Sequence, residues 1–297
     1  MTMRITVASA SYAALDGLEA QSAKLAKLQA QMSSGNQITT PSDNPTGTVE
    51  ALQLRSQSAA NDQYGTSATD AVSWLSTQDS AYSQLVTLAQ SARTQIVQAL
   101  NTGAGDSTSA NAIADSLDQI RQSLISEANT TFNGRPVFGG TTAGGVAYDS
   151  SGNYVGDDGA VTRQIGPNTT VTVSANGPNI FGADNDPTNL LTMLTNVANT
   201  LRTSPTSLPS STLGDMDAAI TRISDAQAVE GATYNQVQLA QTTQQSTATS
   251  FKTQLSGIQD IDIADMAVQI TTANTTYQAA LQTTASIRQL SLLNFLN

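Results

Sequence analysis

The stretch LAKLQAQMSSGNQITTPSDNPTG, residues 25–47, contains the boundary between two predicted helices. Its first half continues a repeat in which Leu18, Leu25 and Met32 recur every seven residues. A seven-residue repeat of this kind predicts a helix over residues 5–33 with an apolar stripe of coiled-coil width. Because a stripe so narrow buries little area, the helix is expected to need a partner helix.

The second half of the same stretch predicts a turn. Residues 33–47 contain two prolines, two glycines and several Ser, Asn and Asp residues, which interrupt helices and favour turns. We expect Asp43 and Thr46 to be N-caps of the following helix. The candidate interface residues here are Leu28 beside the heptad positions, followed by Ser34, Gly35, Pro41, Asp43 and Pro45.

Apolar periodicity predicts five further helices. They span about 46–100, 110–128, 187–203 and 213–257, and a last one begins near Asp262. The second helix has its clearest stripe at Leu75, Tyr82, Leu85, Ala92, Ile96 and Ala99. The last helix repeats apolar residues in steps of three and four and ends in a dense apolar tip. Its candidate interface residues are Met266, Ile270, Tyr277, Leu281, Leu292, Leu293, Phe295 and Leu296.

The composition changes at about residue 132, where Gly, Asn and Asp become frequent. Short alternating runs follow, AVTRQI at 160–165 and TVTVS at 170–174. Gly and Asx pairs between β-branched runs are hairpin signals. We therefore predict a small antiparallel β domain over 137–182, inserted into a mainly α protein with long coiled-coil helices at its ends and a helical-bundle rod.

Composition excludes several classes of function. The 297 residues include 12 Lys and Arg against 23 Asp and Glu, a net charge of −11, which disfavours nucleic-acid binding. The chain has no His and no Cys, so it lacks the usual general base and the usual zinc ligands. Only 12% of residues are charged, so its surfaces lose water at little cost and suit subunit contacts.

Two motifs could suggest ligand chemistry, and both have simpler explanations. Asp260, Asp262 and Asp265 could bind calcium, but no glycine turn or terminal Glu completes an EF-hand, and carboxylates at a helix start are favoured by the helix dipole. The glycine-rich stretch 139–145 lacks the Lys and the following helix of a phosphate-binding loop. We predict no catalytic residue, no cofactor and no metal.

The N-terminal residues do not form an apolar core of signal-peptide length, and no stretch approaches the ~20 apolar residues of a membrane span. We expect a protein that is exported without a cleaved signal or stays in the cytoplasm. The two narrow terminal stripes, which could pair antiparallel or side by side, must bind each other, another subunit, or both.

Residues 25–47 resemble the bacterial flagellin family, with a Leu/Gln-rich helix, Ser-Ser-Gly, and a Pro-Ser-Asp-Asx-Pro turn. Asn44 stands where the family usually has Asp, and Gln37 where it has a basic residue. Further similarity lies in SARTQIVQALNTG (91–103), NGRPVFGGT (133–141) and the last 40 residues. The segment TVTVSANGPNIFG and the ending SLLNFL are closest to members that join the flagellar hook to the filament.

This resemblance implies a structural subunit located outside the cell on the flagellum. It implies a terminal inner-tube domain of residues 1–42 and 258–297, a helical rod of 43–136 and 187–257, and an outer β domain of 137–186. The implied partners are a ring of identical subunits, the preceding hook-associated protein, flagellin and a flagellar export chaperone. The implied function is to join hook and filament and to template flagellin assembly.

Two alternatives remain open. The chain could be filament flagellin itself, which would polymerise by itself into long filaments. It could also be a secreted adhesin or an enzyme that uses the inserted segment, although an insert of about 45 residues without a metal-binding motif argues against this.

Overall fold

The computed structural model describes residues 7–101, 107–184 and 186–295, with side chains described between residues 12 and 286. A 3₁₀ turn spans Pro205–Ser207. The elements in chain order are α1 (Val7–Ser34), α2 (Pro45–Asn101), α3 (Ser107–Ala128), β1 (Thr131–Phe132), β2 (Arg135–Pro136), β3 (Thr162–Gly166), β4 (Thr169–Thr172), α4 (Gly177–Phe181), α5 (Leu190–Thr203), α6 (Thr212–Gln259) and α7 (Ile263–Phe295). The predicted fold class, mainly long helices with small antiparallel sheets in mid-chain, is confirmed.

Contacts divide the chain into two compact units. The terminal unit comprises residues 1–59 and 248–297, and the central unit comprises residues 60–247. The helices α2 and α6 contribute residues to both. The division into three domains stays a prediction. Over the described residues, no helix is long and apolar enough to cross a membrane.

In the central unit, α2 buries one residue at every third or fourth position without a break from residue 68 to residue 99. Ten positions follow this 3–4 alternation, and nine carry apolar side chains. Alanines fill five of them, and larger side chains at the others fill the core. The positions are Ala68, Ala71, Leu75, Gln78, Tyr82, Leu85, Ala89, Ala92, Ile96 and Ala99.

The partner of this stripe is α6, which runs antiparallel to α2. Side-chain hydrogen bonds connect the two helices along the central unit. Near one end the Asn61 Nδ2 donates to the Gln244 carbonyl at 3.0 Å, and near the other Arg93 pairs with Asp217 at 2.6 Å. Partners late in α2 therefore lie early in α6, and the buried residues of α6 include Met216, Ala219, Ile223, Glu230, Val237 and Gln244.

The helix predicted to begin at Pro187 begins instead at Leu190. The Asn189 Oδ1 accepts hydrogen bonds from the amides of Leu191 and Thr192 at 3.0 and 3.1 Å, so Asn189 is the N-cap of α5. Asn189 also donates from Nδ2 to the Gly182 carbonyl at 2.7 Å. This capping side chain is fully buried, so the start of α5 is fixed by the core rather than by its proline.

Two hairpins form the β part of the central unit. Asn133 and Gly134 both have positive φ, at 50° and 76°, which is the backbone of the type I′ turn that Asn-Gly favours, and they join β1 to β2. The strands β3 and β4 pair antiparallel with a register shift between Gln164 and Gly166. The two runs that predicted strands, AVTRQI and TVTVS, overlap β3 and β4.

The apolar side chains of the β part lie in the same buried cluster as those of the central helices. Phe138 packs edge-on against Tyr82 of α2 with ring centroids 5.2 Å apart, and Phe132 packs against Trp74 at 5.5 Å. Aromatic pairs of this geometry add stabilisation beyond the area that they bury. The β part and the helices of the central unit therefore share one core.

Gln78 and Glu230 are two of the polar side chains that interrupt the buried stripes of the central unit. Gln78 of α2 is 2% exposed and Glu230 of α6 is 6% exposed. The Oε1 atoms of both lack a hydrogen-bond partner. Burial, and secondly the negative charge of Asp79, raise the pKa of Glu230 to about 7. A buried carboxyl without a hydrogen-bond partner for one of its oxygens destabilises the fold once it is charged.

We expect Glu230→Gln to stabilise the central unit above pH 7 and to change little below pH 4.5. Because the pKa of Glu230 is higher in the folded than in the unfolded state, its contribution to stability is fully present below the unfolded-state pKa. That contribution is lost as the pH rises through about 7. The gain at pH 8 should be roughly 1–2 kcal/mol, since each pKa unit corresponds to about 1.4 kcal/mol and solvent screens part of it.

Urea unfolding followed by fluorescence of the single tryptophan, Trp74, measures this, because Trp74 is buried in the central unit. Glu50→Gln, the same substitution at an exposed position of α2, serves as the control. An equal gain at pH 4.5 and pH 8 would contradict the assigned pKa.

Candidate assembly site

The terminal helices α1 and α7 pack against each other in the terminal unit. Leu28, Met266 and Ala273 form a small buried cluster, and Leu25 and Ile270 pack partly buried against it. This cluster is far smaller than the core of the central unit. At roughly 25 cal/mol per Å² of buried apolar area, so few residues stabilise the helix pair only weakly.

Backbone hydrogen bonds fix the direction of this pair. The Gln37 amide donates to the Gln259 carbonyl at 2.6 Å, and the Ile261 amide donates to the Gly35 carbonyl at 3.2 Å. These bonds hold the residues just after α1 beside those just before α7. The two helices therefore run antiparallel, which decides between the two arrangements that the sequence left open.

The chain leaves α1 through a left-handed residue, Gly35, with φ of +71°. Only glycine adopts this conformation without cost, which is why it commonly follows a helix end. Ser34 supports the exit, since its Oγ donates to the Gln31 carbonyl at 3.1 Å and accepts from the Asn36 amide at 3.2 Å. The turn thus places the Gly35 carbonyl where Ile261 can bind it.

Asp43 organises the predicted turn. Its Oδ2 accepts from the amides of Thr39 and Thr40 at 3.1 and 2.9 Å, and its Oδ1 pairs with the Lys27 Nζ at 2.8 Å. The hydrogen bond from Lys27, followed by those from Thr40 and Thr39, holds the pKa of Asp43 well below its ordinary value. The carboxylate consequently stays charged throughout the physiological pH range.

The expectation that Asp43 and Thr46 cap the second helix was wrong. The N-cap is Asn44, whose Oδ1 accepts from the Gly47 amide at 2.9 Å, with Pro45 as the first helical residue. Asp43 does not cap because its carboxylate already binds the turn before it. A Cβ at Gly47 would lie 2.6 Å from the Asn44 Nδ2, so a larger residue there would have to displace the capping side chain.

The three carboxylates near the start of α7 accept hydrogen bonds from neighbouring residues of the chain. The Asp262 Oδ1 accepts from the amides of Ala264 and Asp265 at 2.9 and 3.2 Å, as an N-cap does. Asp265 accepts from the Gln269 Nε2 at 2.7 Å. Asp260 accepts from the Ser256 hydroxyl. Among the residues that the structure describes, no group of three His, Cys, Asp or Glu side chains could hold a metal ion.

Apolar side chains remain exposed around this weakly packed pair. Val268 of α7 is 65% exposed although Met266, two residues earlier, is buried. The exposed apolar surface of the terminal unit includes Tyr12, Leu15 and Met32 on α1, Val49 and Leu52 on α2, and Ile263, Val268 and Leu281 on α7. Large apolar side chains left exposed beside a small buried cluster are candidates for contacts with other subunits.

The predicted interface residues fall into three groups. Leu25, Leu28, Met266 and Ile270 meet in the buried cluster, while Leu18 and Tyr277 are half-buried. Met32 and Leu281 are 37% and 42% exposed, so they are free to contact another subunit, and Pro41 is exposed in the turn. The side chains of Leu292, Leu293 and Phe295, and all of Leu296, lie outside the described residues. The interface role of all these residues stays a prediction.

Sequence reasoning missed Lys27 and Gln31. Lys27 pairs with Asp43, and the buried Gln31 donates from Nε2 to the Gln37 carbonyl at 2.6 Å. The two residues lie one helical turn apart beside Leu28, on the face toward the turn. That spacing was a usable signal, but polar residues next to an apolar stripe are usually solvated.

Comparisons with known proteins match both ends of the chain. The bacterial flagellin N-terminal helical region matches residues 5–143, and the bacterial flagellin C-terminal helical region matches residues 213–296. Over 183 residues the chain is 33% identical to flagellar hook-associated protein 3 of Salmonella typhimurium, covering 61% of this chain and 57% of that one. It is 26% identical over 176 residues to flagellin of Bacillus subtilis, covering 59% and 56%.

The chain therefore spans just over half the length of these curated relatives. Among solved structures, flagellar hook associated protein-3 from Legionella pneumophila superimposes with a TM-score of 0.61 at 13% identity. The match covers 70% of this chain and 98% of that one. At this identity the likeness concerns the fold alone.

We expect Gly35→Ala to weaken the α1–α7 connection by about 1–2 kcal/mol, because an alanine must adopt a left-handed conformation there. Nothing lies within 4 Å of the added Cβ, so the cost is conformational rather than steric. Hydrogen exchange at the Gln37 and Ile261 amides measures it, and both should exchange roughly tenfold faster.

Gly17→Ala is the matched control, because Gly17 lies inside α1 with equally open space around a Cβ. In a helix interior this change stabilises by roughly 0.5–1 kcal/mol. Equal exchange rates in the two variants would show that the turn at Gly35 does not hold the pair.

Proposed function

Because the chain belongs to the bacterial flagellin family, we propose that it is the structural subunit that joins the flagellar hook to the filament and templates the first flagellin subunits. The higher identity to a hook-associated protein 3 than to a flagellin supports this role over that of the filament subunit. The relatives are structural flagellar proteins, and we assign the chain no catalytic activity.

The main support for this proposal is the incomplete packing of the terminal helix pair. The helices at the two chain ends pair with each other through a buried cluster too small for a stable domain, while apolar side chains beside it stay exposed. Packing against further helices would bury those side chains and complete the core that the pair lacks. A subunit built in this way gains stability when it assembles.

The proposed partners follow from this role. Identical subunits would form a ring, with the preceding hook-associated protein on one side and flagellin on the other. An export chaperone would cover apolar helix surface before assembly, and the assembled protein would lie outside the cell on the flagellum. The low fraction of charged residues, 12%, supports subunit packing, since few ions lose their water on contact.

Filament flagellin is the second candidate, supported by the match of both family models and by the Bacillus subtilis relative. The two candidates differ in self-assembly. Purified chain that elongated into long filaments from short filament seeds would support the flagellin role and contradict the junction role.

Removal of the protein should leave hooks intact and release unassembled flagellin into the medium. Electron microscopy of the cell surface and immunoblots of the medium measure these two outcomes. Filaments of normal length and number in the deletion strain would overturn the proposal, and so would the loss of the hooks.

Val268→Asp, expressed in the deletion strain, should abolish swimming or reduce it at least about tenfold, because the charge enters an interface core and burying an unpaired charge is costly. The substitution should leave the fold unchanged, since Val268 is exposed in the single chain. Asn274→Asp adds the same charge at an exposed polar position of α7 and should swim normally. Equal swimming by the two variants would contradict an interface at Val268, provided that circular dichroism shows both folded.

A further inference from the structure

Gln78 of α2 and Glu230 of α6 lie at the same level of the contact between the two helices. The Gln227 Nε2 donates to the Asp79 Oδ1 at 2.8 Å and to the Ser83 Oγ at 3.3 Å, so Gln227 lies opposite the stretch between them. Because α2 and α6 run antiparallel, a step forward along α6 matches an equal step back along α2. A step of three residues leads from Gln227 to Glu230, and from the facing stretch of α2 to Gln78.

Both of these side chains end in an oxygen without a donor. The Oε1 atoms of Gln78 and Glu230 are buried acceptors that lack a hydrogen-bond partner among the described residues. Both residues are more than nine-tenths buried, and leaving such an atom unpaired destabilises a fold. A single proton shared by the two oxygens would give each of them a partner.

The other end of the Gln78 amide binds Tyr82. The Gln78 Nε2 donates to the Tyr82 hydroxyl at 3.4 Å, which is long for a hydrogen bond and leaves it weak. Burial, and to a smaller extent the negative charge of Glu230, raise the pKa of Tyr82 to about 12. Tyr82 therefore stays protonated near neutral pH, and its hydroxyl can either accept from Gln78 or donate to it.

The charged groups around Glu230 come from α2, from α6 and from the segment before β3. On α2, the negative charge of Asp79 adds to the effect of burial, and together they raise the pKa of Glu230 to about 7. None of the salt bridges among the described residues includes Glu230. The guanidinium of Arg222 on α6 donates to backbone carbonyls. The other titratable groups are Tyr234, one turn further along α6, and two acidic residues that line the same cavity as Glu230, Asp158 and Asp225.

We propose that Tyr82, Gln78 and Glu230 form a proton-dependent switch, in which the side-chain amide of Gln78 reverses when Glu230 loses its proton. With Glu230 protonated, its carboxyl group donates to the Gln78 Oε1, and the Gln78 Nε2 donates to the Tyr82 hydroxyl as in the structure. With Glu230 charged, the Gln78 Nε2 donates to the carboxylate, and the Tyr82 hydroxyl donates to the Gln78 Oε1. The two ends of an amide are similar in size, so the reversal needs no repacking of the core.

The switch allows the central unit to keep a carboxylate in its core on both sides of neutral pH. A hydrogen bond from the amide to a charged oxygen is stronger than one between neutral groups, so it offsets part of the destabilisation by the buried charge. All three residues belong to the central unit, and the switch does not depend on the junction role.

Nuclear Overhauser contacts of the Gln78 side-chain amide protons, measured on the full chain at about pH 5.5 and about pH 8.5, test the reversal. These protons should lie near the Tyr82 ring at the lower pH and near the γ-protons of Glu230 at the higher pH. The change should follow the carboxyl carbon shift of Glu230, with a midpoint of about pH 7.

Gln238 is the control within the same chain. Its Nε2 donates to the Tyr234 hydroxyl at 3.3 Å, with the same spacing of four residues as between Gln78 and Tyr82, but in an exposed position. The contacts of the Gln238 amide protons should be the same at both pH values.

Gln78→Met distinguishes a reversing amide from a fixed one by the direction in which the Glu230 midpoint moves. Loss of a reversing amide removes a bond to the charged form that is stronger than the bond to the neutral form, so the midpoint should rise. Loss of a fixed amide removes only an acceptor that favours the neutral acid, so the midpoint would fall. Gln238→Met should leave the midpoint unchanged.

Glu230→Gln cannot lose a proton at this position, so it should abolish the pH dependence of the Gln78 contacts. Because this variant is expected to stabilise the central unit, that loss would not be a folding defect. Three results would overturn the proposal: Gln78 contacts that are the same at both pH values, contacts that still change in the Glu230→Gln variant, or a midpoint that falls or stays unchanged in a Gln78→Met variant that circular dichroism shows to be folded.

Discussion

A helix whose apolar stripe is only two residues wide per heptad cannot stand alone in water, and this constraint governs both units. In the central unit the stripe of α2 meets α6, and the β hairpins add aromatic side chains until the cluster is large. In the terminal unit the stripe of α1 packs against α7, and among the described side chains the buried cluster around Leu28 and Met266 stays small. The difference in partners, rather than in residue type, separates a stable core from an incomplete one.

The long helices were predictable because their period is read directly from apolar positions. The stripe through Leu75, Tyr82 and Ile96 predicted α2, whereas the hairpin that turns at Asn133 and Gly134 lies before the β segment predicted over 137–182. The short helix Gly177–Phe181 was missed because it has no room for a period and follows a strand-like run. Its residues are helical because Ile180 and Phe181 are buried in the core, which is a tertiary effect.

The polar contacts were harder to predict than the helices. Asn44 rather than Asp43 caps α2, because two neighbouring residues can each cap or bind the turn, and only the fold decides which one reaches which amide. Glu230 occupies a heptad position that the pattern fills elsewhere with Met216 or Val237. A charged residue at such a position is usually assigned to solvent, so its burial and its unpaired oxygen could not be inferred from periodicity alone.

The discontinuous terminal unit has a consequence for the order in which the chain folds. Its helices α1 and α7 come from opposite ends of 297 residues, so their contacts have the greatest sequence separation in the molecule, and closing a loop of that length is slow. The central unit is continuous in sequence. The hydrogen bond between Asn61 of α2 and Gln244 of α6 joins its first and last helical segments. Folding of residues 60–247 shortens the effective loop, and we therefore expect the terminal pair to form last and to open first.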